Sequence, residues 1–223
     1  MSGRASPLVK ICGLSTPGAV AAAIDAGADM IGFVFFARSP RKVTPEAAAR
    51  LAAPARGIAR IVALTVDADD ATLGAIDAAL APDLHQLHGG ETPARAAAIR
   101  ARFGAPVVKA LAVAAREDLA AAAAYAGVVE RVLFDAKPPK DAALPGGNGR
   151  AFDWSLLAGR EADHAGAVPW MLSGGLDAAN VADAIRATGA EAVDVSSGVE
   201  RASGVKDEAL IRAFVRAAKG AAR

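Results

Sequence analysis

A single cysteine, Cys12, stands in a chain of 223 residues. No disulfide can form within it, and a reducing, cytoplasmic setting is expected. Histidine is nearly as scarce: His85, His88 and His164 are too dispersed to assemble a metal site. Neither a metal nor a cofactor is expected. An excess of one charge is missing too. There are 25 Lys and Arg against 24 Asp and Glu, a net charge of +1. That leaves no basic field for nucleic acid and no acidic arm. No apolar run approaches the roughly 20 residues of a membrane span; the longest covers only residues 119–129. Residues 1–7 carry one Arg with no apolar core behind it, so they read as a flexible extension and not as a leader. The Gly-rich dinucleotide fingerprint is also lacking, because Cys12-Gly13-Leu14 is not G-x-G-x-x-G.

What is present is apolar sequence in a regular alternation. Hydrophobic residues make up 53% of the chain, enough for a large core and against disorder. Short runs at residues 8–12, 30–35, 59–65, 84–87, 106–111, 131–135, 169–172 and 192–196 read as eight strands. Alanine-rich stretches at 17–26, 45–52, 71–80, 93–103, 116–124, 177–188 and 206–218 read as helices, with the sixth connection placed near 152–157. Thr16-Pro17, Thr44-Pro45 and Thr92-Pro93 each set a capping hydroxyl before a proline at the first helical position. Strict strand–helix alternation calls for a parallel sheet. Eight units in this length suit a single-domain α/β protein, a closed (β/α)8 barrel over residues 1–223.

In such a barrel chemistry sits at the C-terminal ends of the strands. Cys12 closes the first and Asp135 the sixth. A thiolate accepts a proton, and a carboxyl donates one if its pKa is raised. The plainer readings are a small buried hydrophobe for Cys12 and an ion pair with Lys137 or a loop cap for Asp135. Ser173-Gly174-Gly175 after the seventh strand and Ser196-Ser197-Gly198 after the eighth are where barrels commonly bind phosphate, with glycine backbone N–H groups close to the anion. The alternative is two tight turns. Arg41 after the second strand suits a carboxylate, unless it is a solvated loop charge. Gln86 and His88 close the fourth strand, where His88 either bonds substrate or shapes the strand end. Strand parity puts Lys10 with Cys12, and Asp194 with Ser196, on the inside of neighbouring strands, so Lys10 and Asp194 are expected to pair. The segment 144–150, rich in glycine, is expected to close over a bound ligand.

Taken in order, Lys10-Ile11-Cys12-Gly13-Leu14, Gly32-Phe33-Val34-Phe35 with Ser39-Pro40-Arg41, Gln86-Leu87-His88-Gly89, Phe152-Asp153-Trp154, Leu172-Ser173-Gly174-Gly175-Leu176 and Asp194-Val195-Ser196-Ser197-Gly198-Val199-Glu200 resemble the phosphoribosylanthranilate isomerase family. The resemblance runs from residue 10 to Asp207. Residues 136–149 are longer and richer in lysine and alanine than the family pattern, and His85 and Gly90 are local departures. The resemblance implies an Amadori rearrangement of a phosphoribosylated anthranilate without any cofactor. It implies Asp135 as general acid, Cys12 as general base, and Arg41 on the anthranilate carboxylate. Gln86, His88 and Asp194 would lie in the substrate site, with the loops after strands seven and eight on the phosphate. The partner is then a small phosphorylated substrate, acted on by a monomer, with a homodimer as the alternative. Two other readings stand beside it. The sister sugar isomerase of histidine biosynthesis has an aspartate where this chain has Cys12. A non-catalytic phosphosugar-binding barrel would fit loss of Cys12 or Asp135, and both are here.

Overall fold

The computed structural model describes residues 6–137, 153–157 and 168–221. Eight parallel strands close in sequence order: β1 (Leu8–Cys12), β2 (Met30–Val34), β3 (Arg60–Thr65), β4 (Leu84–Leu87), β5 (Val107–Val113), β6 (Arg131–Ala136), β7 (Trp170–Leu172) and β8 (Ala192–Val195). Closure is made by β1, which pairs with β2 on one side and β8 on the other. No barrel strand is left as an open edge.

The helices are α1 (Pro17–Asp25), α2 (Pro45–Ala52), α3 (Asp70–Leu80), α4 (Pro93–Phe103), α5 (Val181–Thr188) and α6 (Glu208–Gly220). Thr16, Thr44 and Thr92 accept hydrogen bonds from Ala19, Ala47 and Arg95 backbone N–H groups, which satisfies orphan donors of the first turn. Gly104 and Gly189 end α4 and α5 in the left-handed conformation. On α6 the buried residues are Ile211, Phe214, Val215 and Ala218. Their spacing of three and four makes one apolar stripe against the sheet, each large side chain stabilising by roughly 1.5–3 kcal/mol.

Four expected helices differ. The one expected near 152–157 is a single 3-10 turn at Trp154–Leu157 among the described residues. Residues 116–124 were expected as α-helix, yet Arg116–Tyr125 is a 3-10 helix. Its buried residues Leu119, Ala122 and Tyr125 recur every third position, the period of that tighter helix. The helix expected from 177 starts at Val181, because Asp177 and Asn180 trade side-chain hydrogen bonds with each other's backbone in a turn. The helix expected from 206 starts at Glu208, because Val205–Lys206 (β10) folds back on Glu200–Ala202 (β9) as a short antiparallel pair.

Two apolar layers hold the barrel. The larger lies between sheet and helices. The smaller fills the interior with Met30, Val62, Leu84, Val108, Ala110, Leu133, Met171 and Ala192. Above it, Cys12, Val34 and Leu64 form a separate cluster toward the C-terminal mouth.

Candidate active site

Lys10 and Cys12 point into the barrel from β1, two residues apart. Lys10 Nζ donates to Asp194 Oδ1 at 2.7 Å, between side chains almost wholly buried. Strand register puts the two opposite each other, as parity required. Gly32 on β2 makes room for them. A Cβ there would lie 3.1 Å from Cys12 Sγ and 3.3 Å from Lys10 Nζ. Burial pushes the Cys12 thiol up, Lys10 pulls it back, and Asp194 adds to the rise. Burial opposes the charge on Lys10, but Asp194 and Cys12 outweigh it and raise the pKa.

Asp135 ends its side chain at the rim of β6, with 6% of the residue exposed. Its Oδ1 accepts the Ala136 N–H at 2.9 Å, and its Oδ2 lies 3.3 Å from His88 Nε2. His88 Nδ1 in turn lies 3.2 Å from Gln86 Nε2. Gln86, His88 and Asp135 are therefore one line of contacts from β4 to β6. His85, on the other face of β4, is fully buried against Phe103, and burial holds its pKa down. His164 lies outside the described residues.

Arg41 is not a solvated loop charge. It is buried, with Nε 2.6 Å from Glu200 Oε1 and Nη2 2.9 Å from Glu200 Oε2. Gly13, at φ +78°, leaves the space its stem occupies; a Cβ there would sit 2.6 Å from Arg41 Cδ. Lys206 Nζ completes the cluster with bonds to Glu200 Oε1 (2.8 Å) and the Ser196 carbonyl (2.8 Å). Burial lowers the Lys206 pKa, with Glu200 opposing. Burial raises Glu200, yet Arg41 and Lys206 prevail and hold its carboxyl down from 4.5 to about 2.

The two glycine–serine loops adjoin this cluster. Gly174 and Gly175 have φ of 84° and 65°. Asn180 Nδ2 donates to the Gly175 carbonyl, fixing the turn. Ser173 Oγ lies 3.4 Å from Asp194 Oδ2. Ser196 Oγ donates to the Cys12 carbonyl at 3.2 Å, and Ser197–Val199 forms one 3-10 turn. Gly198 packs so closely that a Cβ would lie 1.9 Å from the Leu176 carbonyl oxygen. The loops after β7 and β8 thus touch each other.

Among the described residues, every candidate side chain from the sequence stands at this end of the barrel. Glu200 and Lys206 were not singled out as site residues. Glu200 ends the motif that starts at Asp194; nothing local marks Lys206. The 144–150 segment lies outside the described residues. Among the described residues no cluster of three His, Cys, Asp or Glu could hold a metal ion, and no helix is long and apolar enough to cross a membrane.

This geometry has relatives. Residues 9–217 match the family model for N-(5'-phosphoribosyl)anthranilate isomerase. The N-(5'-phosphoribosyl)anthranilate isomerase of Rhodopseudomonas palustris is 59% identical over 215 residues, 96% of this chain and 97% of that one. The crystal structure of phosphoribosyl anthranilate isomerase from Thermotoga maritima superposes with a TM-score of 0.84 at 33% identity, over 96% of this chain and 99% of that one. A phosphoribosyl anthranilate isomerase in complex with reduced 1-(o-carboxyphenylamino)-1-deoxyribulose 5-phosphate gives 0.82 at 31% identity, with the same coverage. A closed barrel, a buried thiol and carboxyl at its mouth, and a family match over nearly all its length agree: the chain belongs to the N-(5'-phosphoribosyl)anthranilate isomerase family.

Proposed function

We propose that this chain catalyses the Amadori rearrangement of N-(5-phosphoribosyl)anthranilate to 1-(2-carboxyphenylamino)-1-deoxyribulose 5-phosphate, a step of tryptophan biosynthesis, in the cytoplasm and as one barrel unit. The observation that carries the reading is the pair of buried proton-transfer groups, Cys12 and Asp135, at one mouth with two glycine–serine loops beside them. Asp135 protonates the furanose ring oxygen. The ring C–O bond breaks toward that oxygen while the anthranilate nitrogen lone pair forms an iminium. Cys12, as thiolate, then takes the C2 proton to give an enamine, which tautomerises to the ketone. Burial of the thiol disfavours its charged form, and Lys10 beside it is the compensating charge.

Substrate binding follows the same map. Arg41 holds the anthranilate carboxylate, its guanidinium already oriented by Glu200. Backbone N–H groups of Gly174, Gly175, Ser197 and Gly198, with the hydroxyls of Ser173 and Ser196, hold the phosphate. Gln86, His88 and Asp194 line the space between. A monomer suffices, since every group named comes from one chain; a homodimer is the alternative, decided by sedimentation. Purified protein mixed with phosphoribosylanthranilate should quench anthranilate fluorescence at a catalytic rate. No turnover by folded protein with a reduced Cys12 would overturn the assignment.

A further inference from the structure

A carboxyl that donates protons near neutral pH needs a source for them. The two oxygens of Asp135 have different partners, the Ala136 N–H on one and His88 Nε2 on the other. Behind His88 stands Gln86, fully buried, with its amide oxygen lacking any hydrogen-bond partner among the described residues. A buried amide oxygen without a donor carries a desolvation cost that only a hydrogen bond offsets.

The two ends of the amide dictate two states of the ring. With Gln86 Nε2 toward the ring, as here, His88 Nδ1 must accept. The ring proton then sits on Nε2, facing an ionised Asp135, and there is nothing to deliver. Turning the amide half a turn about its last bond presents Oε1 to Nδ1, which must then carry a proton, and the orphaned oxygen gains its donor. The ring and Asp135 then share one further proton, as imidazolium beside carboxylate or as neutral ring beside carboxylic acid. Either orientation leaves one end of the amide without a partner, so the protonation of the ring decides between them.

We propose that His88 is the proton store of the acid, a positioning residue that acts through Asp135, and that Gln86 senses its loading by turning its amide. This rests on the reading of Asp135 as acid. In the step, the furanose C–O electron pair leaves with the ring oxygen, which takes the Asp135 proton. That proton is the one the pair shares: His88 Nε2 hands it to Asp135 and Asp135 to the ring oxygen, which leaves a carboxylate beside a neutral ring protonated on Nδ1. The pair reloads from bulk solvent before the next turnover.

Other charges around the ring offset one another. Lys109 on β5 donates to the Leu87 and Gly89 carbonyls on either side of His88, and it is paired with Glu91 at 3.1 Å. Asp67 after β3 accepts from Gly90, one residue further on, and Lys137 follows Asp135 with its side chain exposed. Asp135 is the charge that faces the ring.

The test is the pH profile of kcat/KM for the wild type, His88→Asn, His88→Gln and Asp135→Asn. A shared proton titrates with the pair and not with a lone carboxyl. In both His88 variants one limb of the bell should move toward acid by about one pH unit or more, while the Cys12 limb stays. Nitrogen-15 spectra of wild-type His88 should show Nδ1 gaining a proton as pH falls, at a pH that drops in Asp135→Asn. Equal loss of rate at every pH in the His88 variants overturns the proposal. So does a wild-type ring that stays neutral and protonated on Nε2 from about pH 5 to 8; that measurement also decides if the variants do not fold. An active Asp135→Asn overturns the acid assignment itself. An inactive one, with unmoved bells in the His88 variants, removes only the proton store.

Discussion

Arg41 and Glu200 are 159 residues apart in the chain and form a two-pronged ion pair, Nε to Oε1 at 2.6 Å and Nη2 to Oε2 at 2.9 Å. Two parallel bonds fix the plane of a guanidinium, where one would let it swing. Glu200→Gln keeps the shape but turns one acceptor into a donor facing another donor. KM should rise roughly tenfold, the equivalent of one charge-assisted bond, with a smaller change in kcat. Steady-state kinetics on folded protein checks this; an unmoved KM would separate Glu200 from substrate binding.

The same residue gives a pH signature in stability. Its carboxyl titrates lower in the folded chain, at about 2, than the ordinary 4.5. A depressed carboxylate stabilises the fold above its unfolded pKa, and the contribution is lost as pH falls through the folded one. The wild type should therefore exceed Glu200→Gln by a constant margin above about pH 5, and the margin should shrink steadily toward about pH 2. Urea melts across that range measure it. A margin that persists unchanged in acid would mean the carboxylate is not held by Arg41 and Lys206.

Cys12→Ser should cost ~10²–10⁴ in turnover, because a hydroxyl is a poor base at neutral pH. In the wild type, burial raises the thiol pKa. Alkylation of Cys12 by iodoacetamide should therefore speed up as pH rises beyond the range of an ordinary thiol, and product should protect it. Fast alkylation already complete below neutrality would contradict a thiol whose pKa is raised by burial.

Gly198→Ala forces a Cβ to within 1.9 Å of the Leu176 carbonyl oxygen, so backbone must move. Overpacking of this kind costs about 1–3 kcal/mol. The movement separates the loops after β7 and β8, so KM for the phosphorylated substrate should rise while a dephosphorylated analogue binds as weakly as before. Equal effects on both ligands would place the phosphate elsewhere.

Lys10→Met leaves the Asp194 carboxylate buried beside no cation. Breaking a buried pair from one side costs about 3–5 kcal/mol. Replacing Asp194 by Asn as well should return most of the lost stability, since asparagine brings no charge into the barrel. A double variant no more stable than Lys10→Met would show that the pair is not the reason.

Much of this was legible from residue order alone. The eight strands were found because β-branched runs such as Arg60–Thr65 stand out between alanine-rich stretches, and Thr-Pro pairs mark helix starts without tertiary context. Parity paired Lys10 with Asp194 because closure makes β1 and β8 neighbours. The 3-10 helix at Arg116–Tyr125 was missed because alanine content signals helix without choosing its pitch; the burial of Leu119, Ala122 and Tyr125 chooses it. Lys206 was hidden for another reason. Its neighbours in sequence read as the start of α6, and only the fold-back of β10 on β9 turns its ammonium toward Ser196 and Glu200. Gln86 and His88 were visible as a strand end, but the contact with Asp135 depends on how β4 and β6 face each other.

The pairing of Lys10 with Asp194 also sets a schedule for the ribosome. Lys10 is made 184 positions before its counter-charge. At the usual 5–20 residues per second, that is a wait on the order of ten to forty seconds. Until then the ammonium cannot enter a dry interior alone, and β1 has a partner on one side only. The sheet stays open at β1 until β8 is made. Arrival of β8 supplies the missing strand and the missing carboxylate together, so sealing the cylinder and extinguishing its internal charge are a single event.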